Sequence, residues 1–328
     1  MKIAFFDAKS YDKISFERYA AIYGIRIKYY ETKLNEDTAE LAKGCDGVCA
    51  FVNDTVSSEV IDCLALYGVK FIVMRCAGYN NVDLKRAEGK IRVARVPAYS
   101  PHAIAEHAMA MLLCSVRKIH KAFIRTKDFN FNLDGLTGFD LHGKTVGVIG
   151  TGKIGRAFID ICRGFGMRIL AYDIIRSCDE TAEYVEMDKL LSESDIISLH
   201  CPLTEETRYM INESAILKMK DGAIIINTSR GALIDTEALV DGIRKRKIGG
   251  ACLDVYEEEA EVFYNDLSST IVNDDKLLRL ISMPNVIVTS HQAYLTREAL
   301  DSIAKTTLEN SVRLASNGDC ENEIFFQG

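Results

Sequence analysis

Long apolar runs are missing from these 328 residues: none approaches the ~18 needed to cross a bilayer, so no membrane-spanning helix is expected. A secretory leader is not expected either, because the opening Met1–Ser10 reads as a short strand that Asp7 closes too early for a signal-peptide core. The ten cysteines form no Cys-x-x-Cys pair and no cysteine–histidine cluster at zinc spacing. That pattern predicts no metal site and thiols kept reduced in a cytoplasmic protein. An excess of basic residues is also lacking: 40 Lys and Arg against 47 Asp and Glu give a net charge of −7. Nucleic acid is therefore not expected as the main partner, although local positive spots can still hold a small anion. Internal repeats and low-complexity linkers are absent as well.

What is present is a chain long enough for about two domains, since single cores tend to split beyond roughly 250 residues. Short apolar runs alternate with helical stretches, the pattern of parallel α/β sheets whose crossovers are helices. In the first third, strands are expected at Lys2–Phe6, Arg26–Tyr30, Gly47–Phe51, Phe71–Arg75 and Arg92–Val96. Ser100 can then cap a helix that Pro101 begins, with Ile104, Ala108, Met111, Leu112 and Ser115 on one face. A second series follows at Thr145–Ile149, Arg168–Tyr172, Ile196–Leu199, Ala223–Asn227, Gly249–Leu253 and Val286–Thr289. Six strands is the count of a complete dinucleotide-binding sheet. A final helix, roughly Thr296–Ala315, carries Ala299, Ile303, Ala304, Leu308 and Val312, and folds back on the first domain in this reading.

The strongest local motif is Gly150-Thr151-Gly152-Lys153-Ile154-Gly155. Three glycines alone say little, but these follow a strand and open a helix, as a nucleotide-binding turn requires. Gly150 makes the tight turn, Gly152 lets pyrophosphate approach the backbone, and Gly155 lets helix and strand pack closely. Free N–H groups at the helix start complete an anion site. The next strand ends at Asp173, whose carboxylate can accept from both ribose hydroxyls and repel an extra phosphate. The expected cofactor is NAD rather than NADP, with Arg176 nearby as the one feature that points the other way.

Reducing a 2-keto acid requires a cation for the carboxylate, a proton donor for the new hydroxyl, and a carboxylate that keeps the donor charged. Arg230, Glu259 and His291 stand just past the fourth, fifth and sixth strands of the second series, where open α/β sheets bind ligands. Singly, a histidine or a glutamate in a run of three is more often structural or solvated. Together, at neighbouring strand exits, they support one another.

The blocks Gly150–Gly155, His200–Thr204, Asn227–Asp235, Leu253–Tyr256 and Pro284–His291 resemble the D-isomer-specific 2-hydroxyacid dehydrogenases. Arg75–Asp83, Val96–Pro101, Gly135–Gly138 and His291–Thr296 are similar to the fermentative bacterial D-lactate branch of that family, and the likeness runs from about Met1 to Asn322. The resemblance implies two Rossmann-like or flavodoxin-like doubly wound parallel-sheet domains flanking a cleft. Residues 1–98 plus 296–328 would form the substrate domain and 99–295 the NAD domain. It implies hydride transfer between NADH and pyruvate giving D-lactate, with His291 as acid–base, Glu259 as its partner and Arg230 gripping the substrate.

By the same likeness, Cys201, Pro202, Thr228 and Asp254 join the cofactor site, while Phe51, Cys76, Ala77, Gly78, Tyr99 and Tyr294 bind substrate. A bulky Phe51 at the end of its strand would admit a methyl group and crowd out branched chains; the plain alternative is a core phenylalanine. Asp254 has a similar alternative as a simple strand end, and Tyr99 and Tyr294 as packing. His102, His107 and His200 read as structural, and Cys76 and Cys201 as small apolar fillers. The family also implies a homo-oligomer, dimer or tetramer. Open alternatives are a relative acting on 2-ketoisocaproate, glyoxylate or hydroxypyruvate, and an NAD-sensing binding protein of the same fold.

Overall fold

The computed structural model describes residues 1–176, 181–259 and 262–326. Cys178 and the last two residues of the expected first domain lie outside that set. The chain divides into two compact units, Met1–Ser100 with Leu295–Gly328, and Pro101–Tyr294. No helix among the described residues is long and apolar enough to cross a membrane, and the nine described cysteines are free.

In the first unit, β1 (Lys2–Phe5), β2 (Arg26–Tyr29), β3 (Gly47–Ala50), β4 (Phe71–Met74) and β5 (Arg92–Ala94) pair in parallel in the order β2-β1-β3-β4-β5. β3 and β4 are buried at every position, which is why they read as unbroken apolar runs rather than alternating ones. The strands end one or two residues earlier than the sequence predicts. Phe6 and Arg75 still follow the ladder through Phe6 N–H to the Cys49 carbonyl and Arg75 N–H to the Ala50 carbonyl, so the difference is one of boundary. Phe51 therefore lies just past β3.

The helix Arg297–Ala315 packs on the helix Ser10–Tyr23 and against β4. Thr296 caps it, its Oγ1 accepting from Ala299 N–H at 3.2 Å. Val312, the last of the helix's apolar residues named from the sequence, is 39% exposed. The buried stripe runs through Thr307, Asn310, Ser311 and Leu314 instead, because Asn310 turns inward to donate to the Arg95 carbonyl and accept from Asn322. At the heart of this unit lies a buried guanidinium. Arg75 sits between the rings of Phe5 and Phe51, 4.6 and 4.5 Å from their centroids, and donates to the carbonyls of Phe6 and Asp7. The carboxylates of Asp7 and Asp12 lie within 4.0 Å of it.

The second unit holds β6 (Thr145–Ile149), β7 (Arg168–Tyr172), β8 (Glu183–Tyr184), β9 (Ile196–Leu199), β10 (Ala223–Asn227), β11 (Ile248–Leu253) and β12 (Val286–Val288). Their order is β12-β11-β10-β9-β6-β7-β8, all parallel. The six-strand expectation is corrected to seven: β8 is a two-residue polar edge strand, too short to show a period. Alternate residues feed two cores. Ile224, Ile226 and Cys252 face the helices Pro101–Arg117 and Lys153–Gly164, while Ile225, Ala251 and Leu253 face the opposite layer. The helix Pro101–Arg117 ends at Lys118, in a left-handed conformation with φ +52°, and Ile119–Lys127 continues as a helix with no buried residue.

Candidate active site

Strand order reverses between β6 and β9, and ligands of open α/β sheets bind at the carboxyl ends beside such a switch. Gly150 leaves β6 with φ +93°, and a Cβ there would come within 2.6 Å of the backbone of His200 and Cys201. A Cβ on Gly155 would come 2.0 Å from the Gly150 carbonyl oxygen. Gly152 is different: it caps the helix Lys153–Gly164, nothing stands within 4 Å of its added Cβ, and no side chain caps that helix. Two glycines thus close the turn and the third leaves open space over the helix start, with exposed Lys153 and half-buried Ile154 following. This is the shape that a pyrophosphate needs.

Asp173, just past β7, accepts from Thr151 N–H at 2.6 Å and Thr151 Oγ1 at 3.0 Å, and through its other oxygen from Ile175 N–H at 3.0 Å. Burial pushes its pKa up, but the N–H groups of Ile175 and Thr151 outweigh it and hold the carboxyl below its ordinary value. It is therefore a carboxylate with lone pairs to spare for ribose hydroxyls. Arg176 is drawn off to Glu186 at 2.8 Å. The residues present fit a dinucleotide without a 2′-phosphate.

After β9, the Cys201 thiol is buried and its pKa is pushed up to about 11 by that burial, the state of an unreactive filler. Pro202 is exposed beside it. The His200 ring packs 5.0 Å from Phe158 and bonds Ser198 Oγ at 2.8 Å, and burial lowers its pKa to about 3.

The exits of β10, β11 and β12 are adjacent in the sheet. At the first, Thr228 is buried and Arg230 exposed, its Nη1 donating to the Ser229 carbonyl at 2.7 Å. Asn227 shapes this turn by donating to the Arg230 carbonyl and accepting from Ser229 N–H. Gly231 makes it possible, since a Cβ there would strike the Tyr256 carbonyl carbon at 2.0 Å. At the second exit, Glu259 turns back so that Oε2 accepts from Tyr256 N–H at 3.0 Å and Oε1 meets His291 Nδ1 at 2.7 Å. At the third, His291 has φ +53° and its side chain is about a quarter exposed.

Asp254 stands just past the end of β11. It is completely buried, and its carboxylate accepts from Thr289 Oγ1, Gln292 N–H and Ala293 N–H at 2.5, 2.9 and 2.8 Å. Those oxygens face the turn that carries His291, not solvent. Burial raises its pKa, but bonds from His107, Thr289 and the two N–H groups prevail and keep it ionised below the ordinary value. Tyr264 also holds the turn, its hydroxyl donating to the His291 carbonyl at 3.1 Å. Sequence reasoning missed Thr289 and Tyr264 and read His107 as plain structure; the only clue was that they lie near the strand exits.

In the first unit, Phe51 is buried, its N–H donating to Asp54 at 2.6 Å and its carbonyl accepting from Asn81. Cys76 is buried with Sγ toward the Gly78 carbonyl at 3.3 Å, and Arg95 donates to the Ala77 carbonyl. Gly78 has no left-handed φ, and a Cβ there would only touch Val52 at 3.4 Å. Tyr99 is half-buried; Tyr294, in the second unit, is buried.

Residues 109–293 match the family described as D-isomer specific 2-hydroxyacid dehydrogenase, NAD binding domain. The D-lactate dehydrogenase of Escherichia coli is 49% identical over 99% of this chain and 100% of its own length. The apo-structure of that organism's D-lactate dehydrogenase aligns at TM-score 0.92 and 48% identity, covering 99% of this chain and all of the other. A D-2-hydroxyisocaproate dehydrogenase structure aligns at TM-score 0.90 and 34% identity with the same coverage.

Proposed function

The chain belongs to the D-isomer-specific 2-hydroxyacid dehydrogenases, and from that premise we propose that it is an NAD-dependent D-lactate dehydrogenase interconverting pyruvate and D-lactate. The observation that carries the chemistry is the 2.7 Å contact of His291 Nδ1 with Glu259, on strand exits adjacent to the one bearing the exposed Arg230. The full-length likeness to a D-lactate dehydrogenase carries the substrate.

NAD would lie against Gly150–Gly155, with Asp173 on its ribose and Cys201, Pro202 and Thr228 beside it; when bound, it supplies or accepts the hydride. Arg230 offers a planar pair of donors to the substrate carboxylate and polarises the carbonyl, a task that lysine's point charge does poorly. Glu259 fixes the His291 tautomer and stabilises the imidazolium, leaving Nε2 to give a proton to the carbonyl oxygen or take it back. Asp254 acts through the backbone turn that it holds. Phe51, Cys76, Ala77, Gly78, Tyr99 and Tyr294 form the rest of the substrate-binding set in this reading.

Two further parts belong to the proposal. A cytoplasmic location agrees with the free cysteines. A homo-oligomer, dimer or tetramer, agrees with the helix Ile119–Lys127, which buries no residue and exposes Ile119, Phe123 and Ile124. The likeness to a D-2-hydroxyisocaproate dehydrogenase supports a second reading, a larger 2-keto acid as substrate.

The test follows NADH absorbance with pyruvate, 2-ketoisocaproate, hydroxypyruvate and glyoxylate, then determines the product's handedness. Preference for pyruvate with D-lactate formed is expected. Preference for the branched acid would favour the second reading, and NADH binding without turnover would replace both with a binding protein.

A further inference from the structure

His291 holds a left-handed backbone conformation that costs a residue with a side chain on the order of 1 kcal/mol, so its surroundings must impose it. Three backbone N–H groups supply the immediate restraint: His291 N–H donates to the Asp254 carbonyl at 2.7 Å, and the next two N–H groups donate to the Asp254 carboxylate. Asp254 is in turn a fully buried anion. Among the described residues, no lysine or arginine forms an ion pair with it. The cationic-type side chain that faces it is His107, from the helix Pro101–Arg117, with Nε2 3.4 Å from Asp254 Oδ1 and 3.2 Å from Thr289 Oγ1.

Proton counting gives this cluster a direction. Thr289 has one hydroxyl proton, and the 2.5 Å approach of Oγ1 to Asp254 Oδ1 places it there, since an ionised carboxylate can only accept. The hydroxyl must then accept from His107, so His107 carries its proton on Nε2. Without that N–H, Thr289 loses the donor that sets its rotamer, and Asp254 loses the partial positive charge beside its buried oxygen.

We propose that His107 is a positioning residue for the acid–base histidine: its Nε2–H, passed through Thr289 and Asp254, holds the 289–293 turn so that His291 meets Glu259. It rests on the functional reading above, and it assigns a role to a side chain that touches neither Glu259 nor His291. Misplacing a reacting group by about 1 Å costs on the order of a hundredfold in rate, so a partial loss of restraint should be visible in kcat.

The experiment compares wild type with His107→Phe, His107→Gln, Thr289→Val and the His107→Phe/Thr289→Val double variant. Steady-state kinetics on pyruvate, thermal melting and the imidazole NMR signals of His291 without ligand are recorded for each. His107→Phe should lower kcat roughly 10- to 100-fold with KM for pyruvate within about threefold. His107→Gln, which keeps an N–H in reach, should recover most of it. Thr289→Val should resemble His107→Phe, and the double variant should be little worse than either, because both break one chain. Unchanged kcat, additive losses, or a loss that only follows the folded fraction would overturn the proposal. If wild type turns over no 2-keto acid, the functional reading fails, and the NMR arm still decides: His291 signals that do not move in His107→Phe sink the positioning role on their own.

Discussion

Arg75, buried in the first unit, and Arg230, exposed at a strand exit in the second, are treated in opposite ways. Arg75 is 4% exposed, stacked between two rings and surrounded by carboxylates and carbonyls. Arg230 is exposed, with one bond to the carbonyl beside it. Burying a guanidinium is tolerable only when its own chain satisfies it, so Arg75 is fully committed to the fold. Arg230 keeps its donors for something that arrives. The same contrast separates two histidines: the Nδ1 of His200 is buried with no partner among the described residues, whereas His291 Nδ1 is paired with a carboxylate. Charge left available, rather than charge as such, marks the candidate site.

Arg75→Met should have the largest effect on this contrast. It keeps volume and ring contact but removes the buried guanidinium beside Asp7 and Asp12, and should cost about 3–5 kcal/mol in urea unfolding; a loss under about 1 kcal/mol would mean the carboxylates do not depend on it. Arg230→Lys should do the reverse, leaving unfolding within about 0.5 kcal/mol of wild type while kcat/KM for pyruvate falls roughly 10²–10³-fold. Gly231→Ala lies between them. Its Cβ has no room against Tyr256, so about 1–3 kcal/mol of stability and about tenfold or more in activity should go together.

His200 supplies a pH signature. Its folded pKa of about 3 lies below the ordinary 6.5, so below about pH 6.5 the unfolded chain takes up a proton that the folded chain refuses. This group therefore removes stability as pH falls, at roughly 1.4 kcal/mol per pH unit between about 6.5 and about 3. A His200→Gln variant should unfold with a correspondingly flatter acid limb, and an unchanged limb would show that the ring charges while folded. The smallest effect is expected from Phe51→Ala, which should move preference from pyruvate toward 2-ketoisocaproate by about tenfold in kcat/KM. No shift in preference would return Phe51 to the core, where its contact with Arg75 already gives it a reason to be.

Much of this is legible in the sequence alone. The runs Thr145–Ile149, Arg168–Tyr172, Ile196–Leu199 and Ala223–Asn227 are strands from first to last residue, because a buried parallel strand is a continuous apolar stretch bounded by polar turns. The strand exits that bear Arg230, Glu259 and His291 follow from that. β8 was not legible, since two polar residues have no period. Nor was the setting of Arg75, as nothing local tells a buried arginine at a strand end from an exposed one. The His107–Thr289 contact joins residues 182 positions apart, and only the folding of a helix onto a sheet brings them together. The facing of Val312 is hidden in the sequence for a related reason: an inward Asn310, satisfied by a distant carbonyl, decides which way that helix faces.

The first unit is assembled from both ends of the chain, with the whole of Pro101–Tyr294 between its parts. On a ribosome making about 5–20 residues per second, roughly ten to fifty seconds separate the emergence of β4 from that of the helix that covers it. During that interval the second unit can finish and the first cannot. The face of β4 and of the helix Ser10–Tyr23 waits uncovered, a surface for chaperones to recognise and for neighbouring nascent chains to mispair with. Translation pace thus bears on the yield of the first unit more than on that of the second.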